Sequence, residues 1–287
     1  MKYITIAIVA MLACSSCKKE FIQLNPPSSL NSEGFYKTEA DMNQAVLSAY
    51  GNLRSVYNNP FVRLGEIRSD NTTYSWLSGN PADDNGIDVF ASPLLSENNY
   101  PTNAWNNCYN VILRSNIVIG RIEPVKFTNE ALKNQYIAEA KLVRALMYLW
   151  LNRTFGGFAN NGELLGVPKI DKEVTPAEAY EINRAPLQEI YELIIQDLQF
   201  AETNLPATYG ANDKGRVTKW GAKGLLSKVY LTMAGYPLNK GNEFYTLAAQ
   251  KAEEVINTSG ATLVASYKDG KANVGLQHIP SGHDFFH

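Results

Sequence analysis

Histidine is nearly missing from this sequence: of 287 residues only His278, His283 and His287 carry imidazole, all within the last ten positions. The body of the chain therefore lacks the commonest general base and metal ligand. The three tail histidines have a spacing that a metal would tolerate, but an incidental tail accounts for them better. Cysteine is as scarce, with Cys14 and Cys17 near the start and Cys108 alone in the body. No disulfide is expected, because Cys108 has no partner once the N-terminal cysteines are processed. Neither sign of charge dominates: 26 Lys and Arg face 28 Asp and Glu, a net charge of −2. Phosphate backbones require a basic face, so nucleic acid is excluded as a partner. There is no His-Glu-x-x-His, no Gly-x-Ser-x-Gly and no Walker loop. Asp83-Asp84 is the tempting carboxylate pair, yet sequence neighbours point apart, whereas a glycosidase needs two carboxylates about 5–9 Å apart across a cleft. No catalytic residue, metal or cofactor is expected. Disorder is excluded as well, since 45% of residues are hydrophobic and 19% charged.

What is present begins with a leader. A short basic start, Met1-Lys2-Tyr3, precedes an apolar run from Ile4 to Ala13, and Ala13-Cys14-Ser15-Ser16-Cys17 follows. This is the pattern of a secretory signal. The run is shorter than the roughly 20 residues a membrane span takes, and Lys18-Lys19-Glu20 restores polarity at once. A small residue before cysteine resembles a bacterial lipoprotein box, with Cys17 as the acylated residue and Cys14 as the alternative. A plain secretory signal with incidental cysteines is the competing account. Several acyl chains, at about 0.8 kcal/mol per buried methylene, would hold the protein on a membrane. Residues 1–16 are thus read as signal peptide and 17–37 as lipidated N-terminus and tether, extended by Pro26-Pro27.

Helical spacing governs residues 38–270. Leu132, Tyr136, Val143, Leu146, Met147 and Trp150 fall three or four apart, and Leu142, Ala145, Leu149 and Leu151 widen that stripe. Such a helix is covered on several sides, so it is central, and Gly156-Gly157 ends it. Other helices are predicted over 39–57 with Thr38 and Asp41 as a capping box, 102–122, 186–205 starting at Pro186, 218–233, and 243–258. Trp105, Trp150 and Trp220 sit at helical spacing and are read as core. Gly221 and Gly224 are read as sites of close helix approach. Glu139 and Arg144 are read as a structural polar pair. Residues 156–184 look irregular, and no alternating strand run stands out. The fold class is all-α, with antiparallel helix pairs stacked on one another but no fixed repeat period.

Periodicity vanishes between 58 and 101, where Asn, Ser, Gly, Asp and Pro surround isolated aromatics. Long irregular excursions in compact domains are uncommon and often functional. A sugar offers C–H bonds on one face and hydroxyls at its rim, so it suits flat aromatic faces beside short polar groups. Tyr74 and Trp76 are the candidates for stacking. Arg68, Asp70 and Asn71 are the candidates for hydroxyls, with Asn98, Asn99 and Tyr100 nearby. The alternative is a structural corner over 66–71, with Arg68 and Asp70 paired and Trp76 pinning the loop.

Several segments taken together carry a resemblance. They are Glu66-Ile67-Arg68-Ser69-Asp70-Asn71, Trp105 on its Asn-rich helix, Ala138-Glu139-Ala140-Lys141 leading to Arg144-Ala145, Phe155-Gly156-Gly157, and the run from Gly215-Arg216-Val217-Thr218-Lys219-Trp220 to Leu231. With the lipoprotein start, the chain resembles the SusD/RagB family of outer-membrane nutrient-binding lipoproteins over about 17–260. The resemblance implies a tetratricopeptide-like scaffold whose irregular excursions bind ligand. It implies a surface-exposed lipoprotein on the outer membrane, an oligosaccharide ligand, and a SusC-like TonB-dependent transporter as partner. A RagB-like peptide binder or a surface glycan hydrolase are the alternatives. It also implies that family members continue into a second half, so residues 271–287 are expected to be an aberrant or truncated tail of a split or frameshifted frame.

Overall fold

A computed structural model describes residues 34–58, 60–66, 69 and 99–262. Helix α1 (Glu39–Tyr57) starts on Thr38, whose hydroxyl accepts from the Asp41 amide at 3.2 Å while the Asp41 carboxylate accepts from the Thr38 amide at 2.9 Å. The predicted capping box is therefore in place, and that hydrogen bonding holds the Asp41 carboxyl below its ordinary value. A short α2 (Pro60–Gly65) follows. Helices α3 (Asn99–Arg121) and α4 (Glu130–Phe155) come next. Asn129 caps α4 by accepting from the Ala131 amide at 2.8 Å. At its far end Gly157, at φ 83°, takes the left-handed turn that glycine tolerates, and its amide donates to Leu165 at 2.9 Å.

The stretch 156–184 is more ordered than its composition suggests. β1 (Phe158–Asn160), β2 (Glu163–Pro168) and β3 (Arg184–Pro186) form an antiparallel sheet in that order. Asn161 and Gly162, at φ 50° and 85°, make the two-residue connection of the β1–β2 hairpin. Asn-Gly is the dipeptide that such a turn favours, because both central residues need positive φ. Alternation could not announce these strands, since Phe158, Ala159 and Asn160 are all exposed. Between β2 and β3 lies the five-residue α5 (Pro176–Tyr180). Pro186 closes β3, and α6 (Leu187–Asn204) starts one residue later than predicted, after that proline rather than on it.

A 3₁₀ turn (Ala211–Asp213) leads to α7 (Lys219–Ala234), and α8 (Asn242–Thr258) is the last described helix. Successive long helices pack on one another: α1 on α3, α3 on α4, α4 on α6, α6 on α7, α7 on α8. The all-α expectation of stacked antiparallel helix pairs holds for this scaffold, with the small sheet added to it. Helix α4 is its centre, touching α1, α3, α6, α7 and β2. Met147, Tyr148 and Leu151 are fully enclosed, which is why the apolar surface of this helix spreads beyond one stripe.

Three expectations about helix faces are corrected. Trp105 and Trp150 are half-buried and lean on the core from its margin, while Trp220 lies near the start of α7 with the Lys219 ammonium 4.5 Å from its ring centroid. Tryptophan is large and amphipathic, so it often stays partly open. Gly221 and Gly224 are exposed and a Cβ on either would meet open space, so they mark no close helix approach. Glu139 and Arg144 are structural, as expected, but they do not pair with each other. Five residues apart on a helix is a rotation of about 140°, so the two side chains leave on different faces.

Each finds partners elsewhere. Glu139 is completely buried and accepts from Tyr50 Oη at 2.8 Å, Gln135 Nε2 at 2.9 Å and Arg216 at 3.0 Å. Arg144 donates through Nε and a terminal nitrogen to both oxygens of Asp197, at 2.7 and 2.8 Å. Lys141 adds a third contact to Asp197 at 2.7 Å. No helix among the described residues is long and apolar enough to cross a membrane.

Candidate functional site

Of the residues predicted to bind ligand, Arg68, Asp70, Asn71, Tyr74, Trp76 and Asn98 lie outside the described residues, as does Cys17. Tyr100 is described. It sits in the first turn of α3 with the Arg63 guanidinium 4.5 Å from its ring centroid, so it ties α3 back to α2 where the 58–101 excursion returns. A cavity further along α3 is lined without it.

That cavity is a groove of about 670 Å³ along one side of α3. The α3 wall presents Trp105, Asn106, Tyr109, Asn110 and Leu113, which follow the three-and-four spacing of a single helix face. The opposite wall is the irregular chain from Pro168 to Tyr180. This second wall is fastened by polar side chains of the core helices. Tyr109 Oη donates to the Pro168 carbonyl at 2.8 Å, and Asn116 donates to the carbonyls of Ile170 and Lys172 at 2.9 and 3.0 Å. Tyr148 Oη donates to the Ile170 carbonyl at 2.9 Å and accepts from its amide at 2.6 Å. Burial pushes the Tyr148 and Tyr109 phenols well above their ordinary values, so both remain neutral donors. Arg144 reaches through to the Asp171 carbonyl at 2.7 Å while holding the Asn116 amide oxygen at 2.7 Å. The buried Arg144–Asp197 pair is therefore part of the groove's frame.

Trp105 is held from behind. The Arg184 guanidinium lies 5.5 Å from the Trp105 ring centroid and 5.0 Å from that of Phe158, and it donates to the carbonyls of Phe155 at 3.0 Å and Gly166 at 2.8 Å. The Phe155 ring meets Trp105 at 5.4 Å, near edge-on. An arginine with its hydrogen bonds spent on backbone carbonyls serves as a stiff backing plate. Cys108, on the same helix, is completely buried, and burial pushes its thiol up to about 12. It is a packing residue, not a nucleophile.

The groove's outer lip is Tyr180, 90% exposed. It ends α5, which is started by a complete capping box: the Glu178 carboxylate accepts from the Thr175 amide at 2.7 Å and from its hydroxyl at 2.8 Å. Those bonds hold the Glu178 carboxyl below its usual value. Among the described residues no Asp, Glu, Lys, Arg or His lines the groove. Among the described residues no three His, Cys, Asp or Glu side chains gather where they could hold a metal ion. Trp105 was expected in the core, and Asn106 and Asn110 drew no expectation. The signal was there in the repeated aromatic–amide pair, Trp105-Asn106 and Tyr109-Asn110, one helical turn apart.

A tetratricopeptide-like stack of helix pairs, with an aromatic groove along one helix, defines a class of helical scaffold protein. Residues 20–231 match the SusD-like family described as "Starch-binding associating with outer membrane", and the chain belongs to that family. A SusD-like protein of Bacteroides ovatus is 31% identical over 278 residues, covering 93% of this chain and 46% of its own length. Among solved structures, a SusD superfamily protein of Parabacteroides distasonis superposes with a TM-score of 0.66 at 30% identity, covering 84% of this chain and 48% of that one. Another, crystallised with a xylogluco-oligosaccharide, gives a TM-score of 0.63 at 28% identity, covering 79% of this chain and 42% of that one. The chain spans about half the length of the curated relatives it matches.

Proposed function

We propose that this protein is a cell-surface glycan-binding lipoprotein of the outer membrane. It captures oligosaccharide and passes it to a SusC-like TonB-dependent transporter. The observation that carries this reading is the family match over 20–231, together with a relative at 28% identity solved with a xylogluco-oligosaccharide. The chemistry of the described surface supports it, because the groove offers aromatic faces and amides with no carboxylate pair to break a glycosidic bond. Arg68, Asp70, Asn71, Tyr74, Trp76, Asn98 and Tyr100 remain the proposed ligand-binding residues of the 58–101 excursion. Cys17 is the proposed lipid anchor.

Isothermal titration of the protein with plant, host and α-glucan oligosaccharides, and with peptides, tests the reading. Saturable glycan binding without release of reducing ends is expected, and Trp76→Ala should weaken it while leaving the melting temperature nearly unchanged. Saturable peptide binding with no glycan response would replace this reading by a peptide importer's binding protein. Release of reducing ends would replace it by a hydrolase.

A further inference from the structure

We propose that a small pocket between α1 and α3, where the tether meets the body, is a site for a phosphate group, and that headgroups of the membrane supply it. The pocket and its chemistry stand on described residues, whereas the lipid source rests on the proposed anchor at Cys17.

Size is the first argument. The pocket holds about 180 Å³, and its walls include Phe35, Tyr36, Gln44, Ser48, Arg114 and Ile117. Sites for whole small molecules begin at roughly 300 Å³, so this one suits a single ionic group whose stem stays outside.

Charge is the second. Arg114 donates to Ser48 Oγ at 3.0 Å and meets no carboxylate among the described residues. A guanidinium carries five N–H donors, so most of its capacity is open. Arg121, two turns further along α3, is the contrast: its fork is closed on both oxygens of Glu173, at 2.9 and 2.6 Å. The acids at the start of α1 are engaged elsewhere, Glu39 with the Thr128 hydroxyl at 3.0 Å and Asp41 with the Thr38 amide at 2.9 Å. The positive charge of Arg114 is therefore left for an anion.

The donor set narrows the anion. Gln44 and Ser48 stand one turn apart on α1, and neither the Gln44 amide N–H groups nor the Ser48 O–H has an acceptor among the described residues. With Arg114 they offer an amide, a hydroxyl and a planar fork from two helices. A carboxylate presents two oxygens in one plane. Phosphate presents three around a tetrahedron, and so can meet donors from both helices together.

The wall beside them is built at a conformational cost. Tyr36 sits at φ 66°, a region that bulky side chains rarely enter. The Arg121 guanidinium holds its ring at 4.9 Å and the Phe35 ring meets it edge-on at 4.7 Å. Because Arg121 is itself fixed by Glu173, the wall is formed before any ligand arrives. Seventeen residues separate Cys17 from Gly34. Such a length reaches at most about 60 Å, so a lipid-anchored chain keeps this pocket within range of the bilayer surface.

The test uses the protein with Cys17→Ser, so that no acyl chain contributes, and adds Arg114→Gln or Arg114→Lys. The Arg114 side chain is exposed, so both should keep the melting temperature. Flotation compares phosphatidylcholine vesicles with and without phosphatidic acid, and titration uses inorganic phosphate and glycerol phosphate. A chain of net charge −2 has no general attraction to acidic vesicles, which makes binding informative. Binding to the phosphatidic acid vesicles alone is expected, weakened by salt and by competing phosphate. Arg114→Gln should reduce it about tenfold or more, and Arg114→Lys less, because lysine keeps the charge without the fork. Arg114-dependent binding of glycerol phosphate without vesicle binding overturns the lipid source and leaves a soluble phosphate ester as ligand. Wild-type binding in a folded Arg114→Gln protein, or no binding of any of these probes by the parent, overturns the site. Neutral oligosaccharide titrated into the same proteins reports separately on the proposed function and should give one affinity throughout.

Discussion

Asp197 shows how much hangs on single polar groups in this interior. It is completely buried on α6 and receives Arg144 and Lys141 from α4. Arg144 cannot shed its charge, so removing its carboxylate leaves an unpaired buried cation. Asp197→Ala is expected to destabilise the fold by roughly 3–5 kcal/mol in urea unfolding. Because Arg144 also holds Asn116 and the Asp171 carbonyl, the same change should raise hydrogen exchange over 168–172 more than in the distant α7–α8 pair. None of this was legible in the sequence. Glu139 and Arg144 stood out as charges on an apolar helix, but their charged partners Arg216 and Asp197 are 77 and 53 residues away, beyond any local pattern.

At the scale of elements, short-range signals did better where they acted within one turn. The Thr38–Asp41 capping box was readable because it joins residues three apart. The β1–β2 hairpin was readable in principle from Asn161-Gly162, but β1 is three exposed residues and β2 buries consecutive Gly166 and Val167, so neither strand alternates. Gly162→Ala puts a side chain at φ 85° and is expected to cost about 1–2 kcal/mol, read by thermal unfolding, although no atom lies in the way of the new Cβ.

Helix α8 is joined to α6 and α7 by a charge network in which Lys223 and Lys251 both contact Glu202 and Glu254. The Lys223 hydrogen bond holds the Glu254 carboxyl below its ordinary value. A depressed carboxyl stabilises the fold above its unfolded pKa and ceases to do so as pH falls through the folded one. Stability should therefore decline with acid below about pH 4.3 through this group. Glu254→Gln should remove that part of the decline. Glu254 is partly exposed, so the effect is expected to stay under about 1 kcal/mol, measured by urea unfolding at pH 3 and pH 7.

For the whole molecule, the arrangement is a one-directional stack in which each long helix covers the one before it, with α4 enclosed at the centre. Acylation at Cys17, as proposed, would hold that stack on a membrane by its N-terminal end. Cys17→Ser is expected to move the protein from the detergent-extracted membrane fraction to the soluble one, while glycan affinity in detergent-free titration stays as in the wild type. Retention of the variant on membranes would argue for another attachment.

Much of this architecture was determined by the order of residues alone. Helices, their caps and the enclosure of α4 follow from hydrophobic period and local hydrogen bonds, which depend on neighbours a few positions apart. Family membership was legible for the same reason, since its motifs are short and contiguous. The groove was decided only by tertiary structure. Trp105 and Tyr109 line an open groove instead of a sealed core because the 168–180 chain, bolted by Asn116, Tyr148 and Arg144, stands off from α3 and leaves a gap. Whether a helical face is sealed or open depends on what packs against it from far along the chain, and periodicity carries no record of that distance.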